Sequence, residues 1–230
     1  MLTRRERLRS ATVAEIKDHA RRLLVAGGSA AISLRAIARE MGMTAPALYR
    51  YFPSLDKLVM GLAEDLFGEL TAAVEQARRP DDPPLDQLVT MARAFRAWAL
   101  AHPAEFGLLF GNPVPGVARF EDDCVTLDHA GARFGQPFLT AFAQLFAGPA
   151  ADLPTTPAGS LLEPHLGRFS ALNQVALPAT VVQTYLSAWA RLYGIVALEV
   201  FGHIRWAIDD ASVLFEAELA AFVAEFSALG

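Results

Sequence analysis

The residues of this chain best equipped for chemistry gather between positions 33 and 57. Ser33, Arg35, Thr44, Tyr49, Arg50, Tyr51 and Lys57 supply hydroxyls and cations there. Groups of this kind bond phosphate oxygens, and an arginine also reads the acceptor edge of guanine. Thr44 opens a helical pattern. Its hydroxyl and the free N–H groups of the first turn are donors for a phosphate oxygen, favoured by the helix dipole. Ala45 and Pro46 are small and apolar, which suits contact with a thymine methyl rather than hydrogen-bonded readout. The alternative is a helical hairpin with no nucleic-acid role, its two tyrosines packing at the rim.

Other chemistries find less support. The five histidines, at 19, 102, 129, 165 and 203, include no pair three or four residues apart. The densest polar cluster is Glu121-Asp122-Asp123-Cys124 with Asp128-His129. On a helix Cys124 and Asp128 share a face, whereas His129 turns about 100° away, a poor metal geometry. A solvated face explains that cluster as well. Gly-x-Ser-x-Gly, Gly-x-Gly-x-x-Gly and the phosphate loop are all missing, so neither an enzyme, a metal nor a cofactor is expected.

The net charge of −5 argues at first against a polyanionic partner. Its distribution reverses that. Residues 1–60 hold 11 basic and 5 acidic side chains, and residues 61–230 hold 9 and 20. A basic head attracts phosphate while an acidic body repels it. Hydrophobic residues make up 53% of the chain and charged ones 20%, which excludes a disordered tail. A single cysteine cannot staple the fold. No apolar run approaches a membrane span and the N-terminus lacks an apolar signal core, so a soluble cytoplasmic protein is expected.

Apolar residues recur at three and four rather than two, which predicts an all-α chain of about nine or ten helices. The first is expected at about 9–26, striped by Val13, Ile16, Ala20 and Leu23 and stopped by Gly27-Gly28. Ser33 caps a short helix to Met41. Gly42 breaks it, and Thr44 caps the next, with Pro46 in its first turn. Ala38 is small where those two helices cross, and Leu48 and Phe52 face inward. Phe52-Pro53 ends that helix, and Ser54 caps a fourth at about 55–79. Further helices are expected at about 85–101, 103–110, 117–147 (interrupted near Gly135-Gln136-Pro137), 160–173, 178–203 and 209–228. Loops fall at Gly111–Gly116 and 148–159.

Two short amphipathic helices across a glycine turn form a helix-turn-helix at about 33–52. Ser33-Leu34-Arg35-x-Ile37-Ala38, Met41-Gly42-Met43-Thr44, Leu48-Tyr49-x-Tyr51-Phe52 and Pro53-Ser54 together resemble the DNA-binding domain of the tetracycline-repressor (TetR) family. The resemblance covers about 9–60. It implies a reading domain at 1–54, a ligand-binding and dimerisation domain at 55–230, and an Ω-shaped homodimer. It also implies a double-stranded operator as partner and repression relieved by a small molecule, with the fourth helix as hinge. Members usually place Lys or Arg just after the cap of the fourth helix. Leu55 stands there, and Lys57 lies about 200° round the helix. The arginines at 4, 5, 7 and 9 could compensate, unless that arm is a solvated tail.

Farther on, Trp189-Ala-Arg-Leu-Tyr193-Gly194 and Gly202-His203, with Arg96-Ala-Trp98 and His102-Pro103, resemble the regulatory domain of the family's Trp-His-Gly subgroup, with Tyr193 where histidine is common. Trp98, His102, Phe106, Phe110, Phe138, Phe142, Tyr185, Trp189 and Tyr193 are pocket candidates: aromatic or polar residues amid apolar helices, without a fixed charge, suiting a mostly apolar effector. Each taken singly also fits ordinary core packing. Ala190, Gly194, Ala197 and Phe201, with Ala217, Ala221 and Ala224, form small stripes that admit close approach of a second helix pair. A dimer also suits a palindromic site, whose halves lie about 34–36 Å apart. Intramolecular packing is the alternative reading of those stripes. A helical interaction module or an activator on the same scaffold competes with the repressor.

If Leu55 marks a missing phosphate grip, Leu55→Lys tightens DNA binding severalfold and steepens the salt slope by about 1. Titrating duplex DNA at several salt concentrations checks this; unchanged affinity means the grip is replaced elsewhere.

Overall fold

The computed structural model describes residues 3–111, 130–146 and 159–227. Among them are ten α-helices and no strand, in keeping with the all-α expectation. In chain order they are α1 (Arg4–Gly27), α2 (Leu34–Glu40), α3 (Ala45–Tyr49), α4 (Leu55–Ala77) and α5 (Pro84–Ala101). They continue as α6 (Pro103–Phe110), α7 (Ala130–Leu145), α8 (Gly159–Asn173), α9 (Ala179–Val200) and α10 (Ala211–Ser227). The acidic cluster around Cys124 lies outside the described residues.

Two expectations need correction. The first helix starts at Arg4 rather than near 9. Thr3 caps it: its Oγ1 accepts the Glu6 N–H at 3.3 Å, and Glu6 accepts the Thr3 N–H at 2.6 Å. The bond from the Thr3 backbone N–H, and after it one from the Thr3 hydroxyl at 2.9 Å, hold the Glu6 carboxyl below its usual pKa. The arginine arm is therefore helical. Likewise α7 runs unbroken through Pro137, because buried Phe134, Phe138, Ala141 and Phe142 hold both halves of the helix on one core.

The helices divide into two compact units. The first contains α1–α3, α4 as far as Glu69, and α6. Its core is Ile16, Ala20 and Leu24 of α1 against Ile37, Ala38, Leu48, Leu58, Leu62 and Leu66. Phe110 packs edge-on to Phe67 at 5.6 Å and lies 5.0 Å from Phe106. Charge crosses between helices as well: Lys17 of α1 pairs with Asp65 of α4 at 2.7 Å. Arg21 reaches Glu69 at 2.8 Å and Glu105 of α6 at 2.9 Å. Burial alone would lower the Arg21 pKa, but hydrogen bonds to Glu105 and Glu69 hold it above the ordinary value.

The second unit contains α4 from Leu70, α5 and α7–α10. Phe95, Phe134, Phe138 and Trp189 form its aromatic centre, with ring centroids 5.6–6.3 Å apart around Trp189. Arg96 of α5 makes a two-pronged pair with Glu199 of α9 at 2.6 and 2.7 Å and lies 5.0 Å over the Phe215 ring. The amide of buried Gln87 donates to the Pro80 and Asp82 carbonyls, which fixes the turn before α5. α9 ends where the Gly202 N–H reaches the Glu199 carbonyl and the His203 N–H reaches Leu198, with Gly202 at φ +69°.

Glu105 is only 4% exposed, with Arg21 at 2.9 Å as its nearest cation and His102 Nδ1 at 3.9 Å. Arg21→Met is expected to destabilise the protein by about 3 kcal/mol, the usual cost of stranding one buried charge. Arg21→Met with Glu105→Leu should recover most of that, as urea midpoints read by circular dichroism will show. A double-variant loss equal to the sum of the Arg21→Met and Glu105→Leu losses means the pair is not coupled.

Candidate DNA interface and ligand cavity

The turn between α2 and α3 is built from backbone bonds. Ser33 Oγ accepts the Ala36 N–H at 3.1 Å and starts α2. At the other end Gly42 takes φ +63°, which lets the Met43 N–H reach the Ala38 carbonyl at 2.8 Å and its own N–H reach Arg39 at 3.3 Å. The chain then enters α3 through Thr44. Thr44 occupies the cap position with extended backbone, but its hydroxyl accepts no N–H of the helix, contrary to expectation.

Leu48 is fully buried and Phe52 nearly so, which fixes α3 by one face. Thr44, Pro46, Tyr49 and Arg50 are exposed on the other, with Ala45 and Tyr51 half-buried. Arg35 and Lys57 are also exposed, whereas half-buried Ser33 spends its hydroxyl on the α2 cap. Arg9, one of the four arginines of the N-terminal arm, packs against the end of α3. Its Nη2 donates to the Arg50 carbonyl over a long 3.5 Å, and its guanidinium lies 5.2 Å over the Tyr51 ring. Nearby, His19 Nδ1 lies 2.9 Å from Glu40 and ties α1 to α2.

In the second unit a cavity of about 80 Å³ opens between α5, α7, α9 and α10. Tyr185, Ala188, Trp189, Leu192 and Ile195 form its α9 wall, and Phe215, Glu218, Leu219 and Phe222 its α10 wall. Leu88 and Ala92 of α5 and Phe138 and Phe142 of α7 close it. Four predicted pocket residues thus meet: Phe138, Phe142, Tyr185 and Trp189. Five do not line it. Trp98 is buried core, Tyr193 stacks outside on Trp189 at 6.4 Å, and His102, Phe106 and Phe110 belong to the first unit. The wall also holds charge that the aromatic pattern did not reveal. Arg191 pairs with Glu218 at 2.8 Å and with Glu225 at 3.2 Å. Burial pushes the Tyr185 hydroxyl up to about 12.

The stripes on α9 and α10 face outward. Ala190, Phe201, Ala217, Ala221 and Ala224 are exposed, and Gly194 and Ala197 half-buried.

Comparison with known proteins fits this arrangement. The family described as bacterial regulatory proteins, tetR family, matches residues 16–60, and the tetracyclin repressor-like C-terminal domain matches 88–222. The HTH-type transcriptional regulators Rv1816 of Mycobacterium tuberculosis and Mb1846 of Mycobacterium bovis are each 34% identical over 217 residues, 92% of this chain and 90% of theirs. The chain belongs to the TetR family.

This TetR-family chain is a DNA-binding transcriptional regulator. The crystal structure of SCO4313 is 33% identical and superposes with a TM-score of 0.75 over 96% of this chain and all of that one. A tetR family transcription regulator from Shewanella sp. PV-4, at 20% identity and TM-score 0.53 over 93% and 95% of the two chains, shares the fold. The family and these curated relatives are regulators rather than enzymes. Among the described residues no three His, Cys, Asp or Glu side chains could hold a metal, and no helix is long and apolar enough to cross a membrane.

Tyr49 is 45% exposed beside Arg50. Tyr49→Phe should weaken binding to a selected operator about 3- to 10-fold, the worth of one hydrogen bond, and leave the melting temperature unchanged. Unchanged affinity removes that hydroxyl from the contact set.

Proposed function

We propose that this TetR-family regulator is a cytoplasmic repressor that binds a palindromic operator as a homodimer and leaves it when a small, mostly apolar effector binds. Residues 1–54 serve as the reading domain and 55–230 as the sensing and dimerisation domain, of the Trp-His-Gly type. Ala45, Pro46 and Arg50 read the major groove, while Thr44, Tyr49 and Tyr51 reach the phosphates with their hydroxyls, supported by Ser33, Arg35 and Lys57. The observation that carries this is the two-sidedness of α3: Leu48 has no exposed surface, while Thr44, Pro46, Tyr49 and Arg50 are all exposed.

The cavity between α5, α7, α9 and α10 supports the effector reading, and the outer faces of α9 and α10 support the dimer. Exposed Leu186, Ala190, Leu198 and Phe201 run along α9, and Val213, Ala217, Ala221 and Ala224 along α10. The acids of these helices are paired with Arg93, Arg96 and Arg191. Two uncharged helical faces suit a four-helix contact about a two-fold axis. By linkage, an effector that prefers the non-operator state weakens operator binding by the same factor.

Selection of genomic fragments at physiological salt tests the reading. Recovery of a short palindrome whose promoter is silenced by the protein supports the repressor; diffuse recovery favours an interaction module, and raised transcription an activator. A side chain at Gly194 meets nothing within 4 Å in the single chain. Gly194→Leu should therefore keep the helix content and shift the sedimentation of the dimer towards monomer. An unaltered dimer moves the interface away from that stripe.

A further inference from the structure

The proposed effector cavity holds one polar group whose bonding is incomplete. Trp189 lines it from α9, enclosed by Phe95, Phe134 and Phe138 on its ring faces and edges. Its indole N–H is a donor only, and it finds no acceptor among the described residues. Nor is it sealed away, because no fully buried side-chain nitrogen or oxygen there lacks a partner. The N–H therefore keeps some exposed surface, on a residue that lines the cavity.

The remaining polar groups of the wall are engaged. Tyr185, one turn earlier on the same face of α9, donates to the Gly135 carbonyl over 3.4 Å. Arg191 is held by Glu218 and Glu225, two carboxylates for one cation. A carboxylate guest finds the one cation of the wall, Arg191, already paired, and it meets the Glu218 carboxylate beside it. A cationic guest finds Glu218 already paired and 40% exposed, where water weakens the attraction. The other wall residues are aliphatic or phenyl side chains, apart from the ring of Trp189 itself.

We infer that the cavity takes an uncharged, apolar molecule bearing one hydrogen-bond acceptor, such as a ketone or ester oxygen, received by the Trp189 indole N–H. This rests on the effector-cavity reading and narrows it to a ligand class. The volume of about 80 Å³ limits size. It is roughly half of the ~150 Å³ that holds benzene. A single-ring guest enters by displacing the half-buried Leu192, Ile195, Leu219 and Phe222 outward.

Four probes of similar size separate the possibilities: acetophenone, ethylbenzene, benzoate and benzyltrimethylammonium. Calorimetric titration of the full-length protein is expected to give acetophenone about 3- to 10-fold tighter binding than ethylbenzene, the worth of one neutral hydrogen bond. The two ions should bind more weakly than either. Trp189→Phe removes the donor and should bring acetophenone down to the affinity of ethylbenzene, while Tyr185→Phe keeps the preference. Equal binding of ketone and hydrocarbon by the unmodified protein overturns the inference, whatever the variants do. So does tighter binding of either ion. Failure of all four probes to bind overturns it together with the effector cavity. Selective ketone binding that leaves operator affinity unchanged upholds the ligand class and overturns the effector role instead.

Discussion

A helix of five residues cannot hold itself together. α3 has little more than one turn, far below the dozen or more residues an isolated helix needs in water. Its shape is imposed by its surroundings. Complete burial of Leu48 contributes about 1.5–3 kcal/mol. The positive φ at Gly42 sets its entry angle, and the Arg50 carbonyl at its far end receives the Arg9 guanidinium. Everything that the outward residues do follows from that anchorage. They are free for a partner because one apolar residue per turn is enough to fix so short a rod.

The ions of the first unit serve the same end. α1 is the helix to which the others are tied: ion pairs join Lys17 to α4 and Arg21 to both α4 and α6, and a hydrogen-bond contact joins His19 to α2. Exposed pairs of this type contribute about 0–1 kcal/mol each. Arg21–Glu105 differs, because Glu105 is buried and its carboxylate needs that partner. The consequence for α6 is strong. It carries Glu105, so its place in the first unit is fixed by a charge that cannot be left alone.

How much of this was legible in the sequence depends on the kind of signal. Helix positions were legible because the 3.6-residue period and the caps at Ser33 and Ser54 are local. So was the two-sidedness of α3. The early start of α1 was also written locally, in Thr3-x-x-Glu6, but the arginines at 4, 5, 7 and 9 fit a phosphate-gripping arm or a solvated tail equally well. The pocket set was only partly legible. Phe106 and Phe142 look alike in a helical pattern, and both are fully or almost fully buried. Which aromatic surrounds a void and which fills a core depends on the facing helix, and period alone does not name it. Glu218 and Arg191 were missed for the same reason: they lie on different helices, and only the packing of α9 on α10 makes them a pair.

That packing also constrains how sensing could reach DNA. α9 presents Tyr185, Trp189 and Leu192 to the cavity and Leu186, Ala190 and Phe201 to the outside. α10 divides in the same way, with Leu219 and Phe222 inward and Ala217 and Ala221 outward. A helix is stiff across its width, so a guest that widens the inner face must shift the outer one. In the proposed dimer the outer faces meet their symmetry mates, and a shift is doubled across the axis. Two reading heads must keep their spacing to fit half-sites one helical turn apart. In the proposed repressor, a coupling of about 1–3 kcal/mol, the common range for allosteric pairs, would weaken operator binding about 5- to 150-fold. Such an effect needs no charge on the effector, only volume in a cavity too small for it.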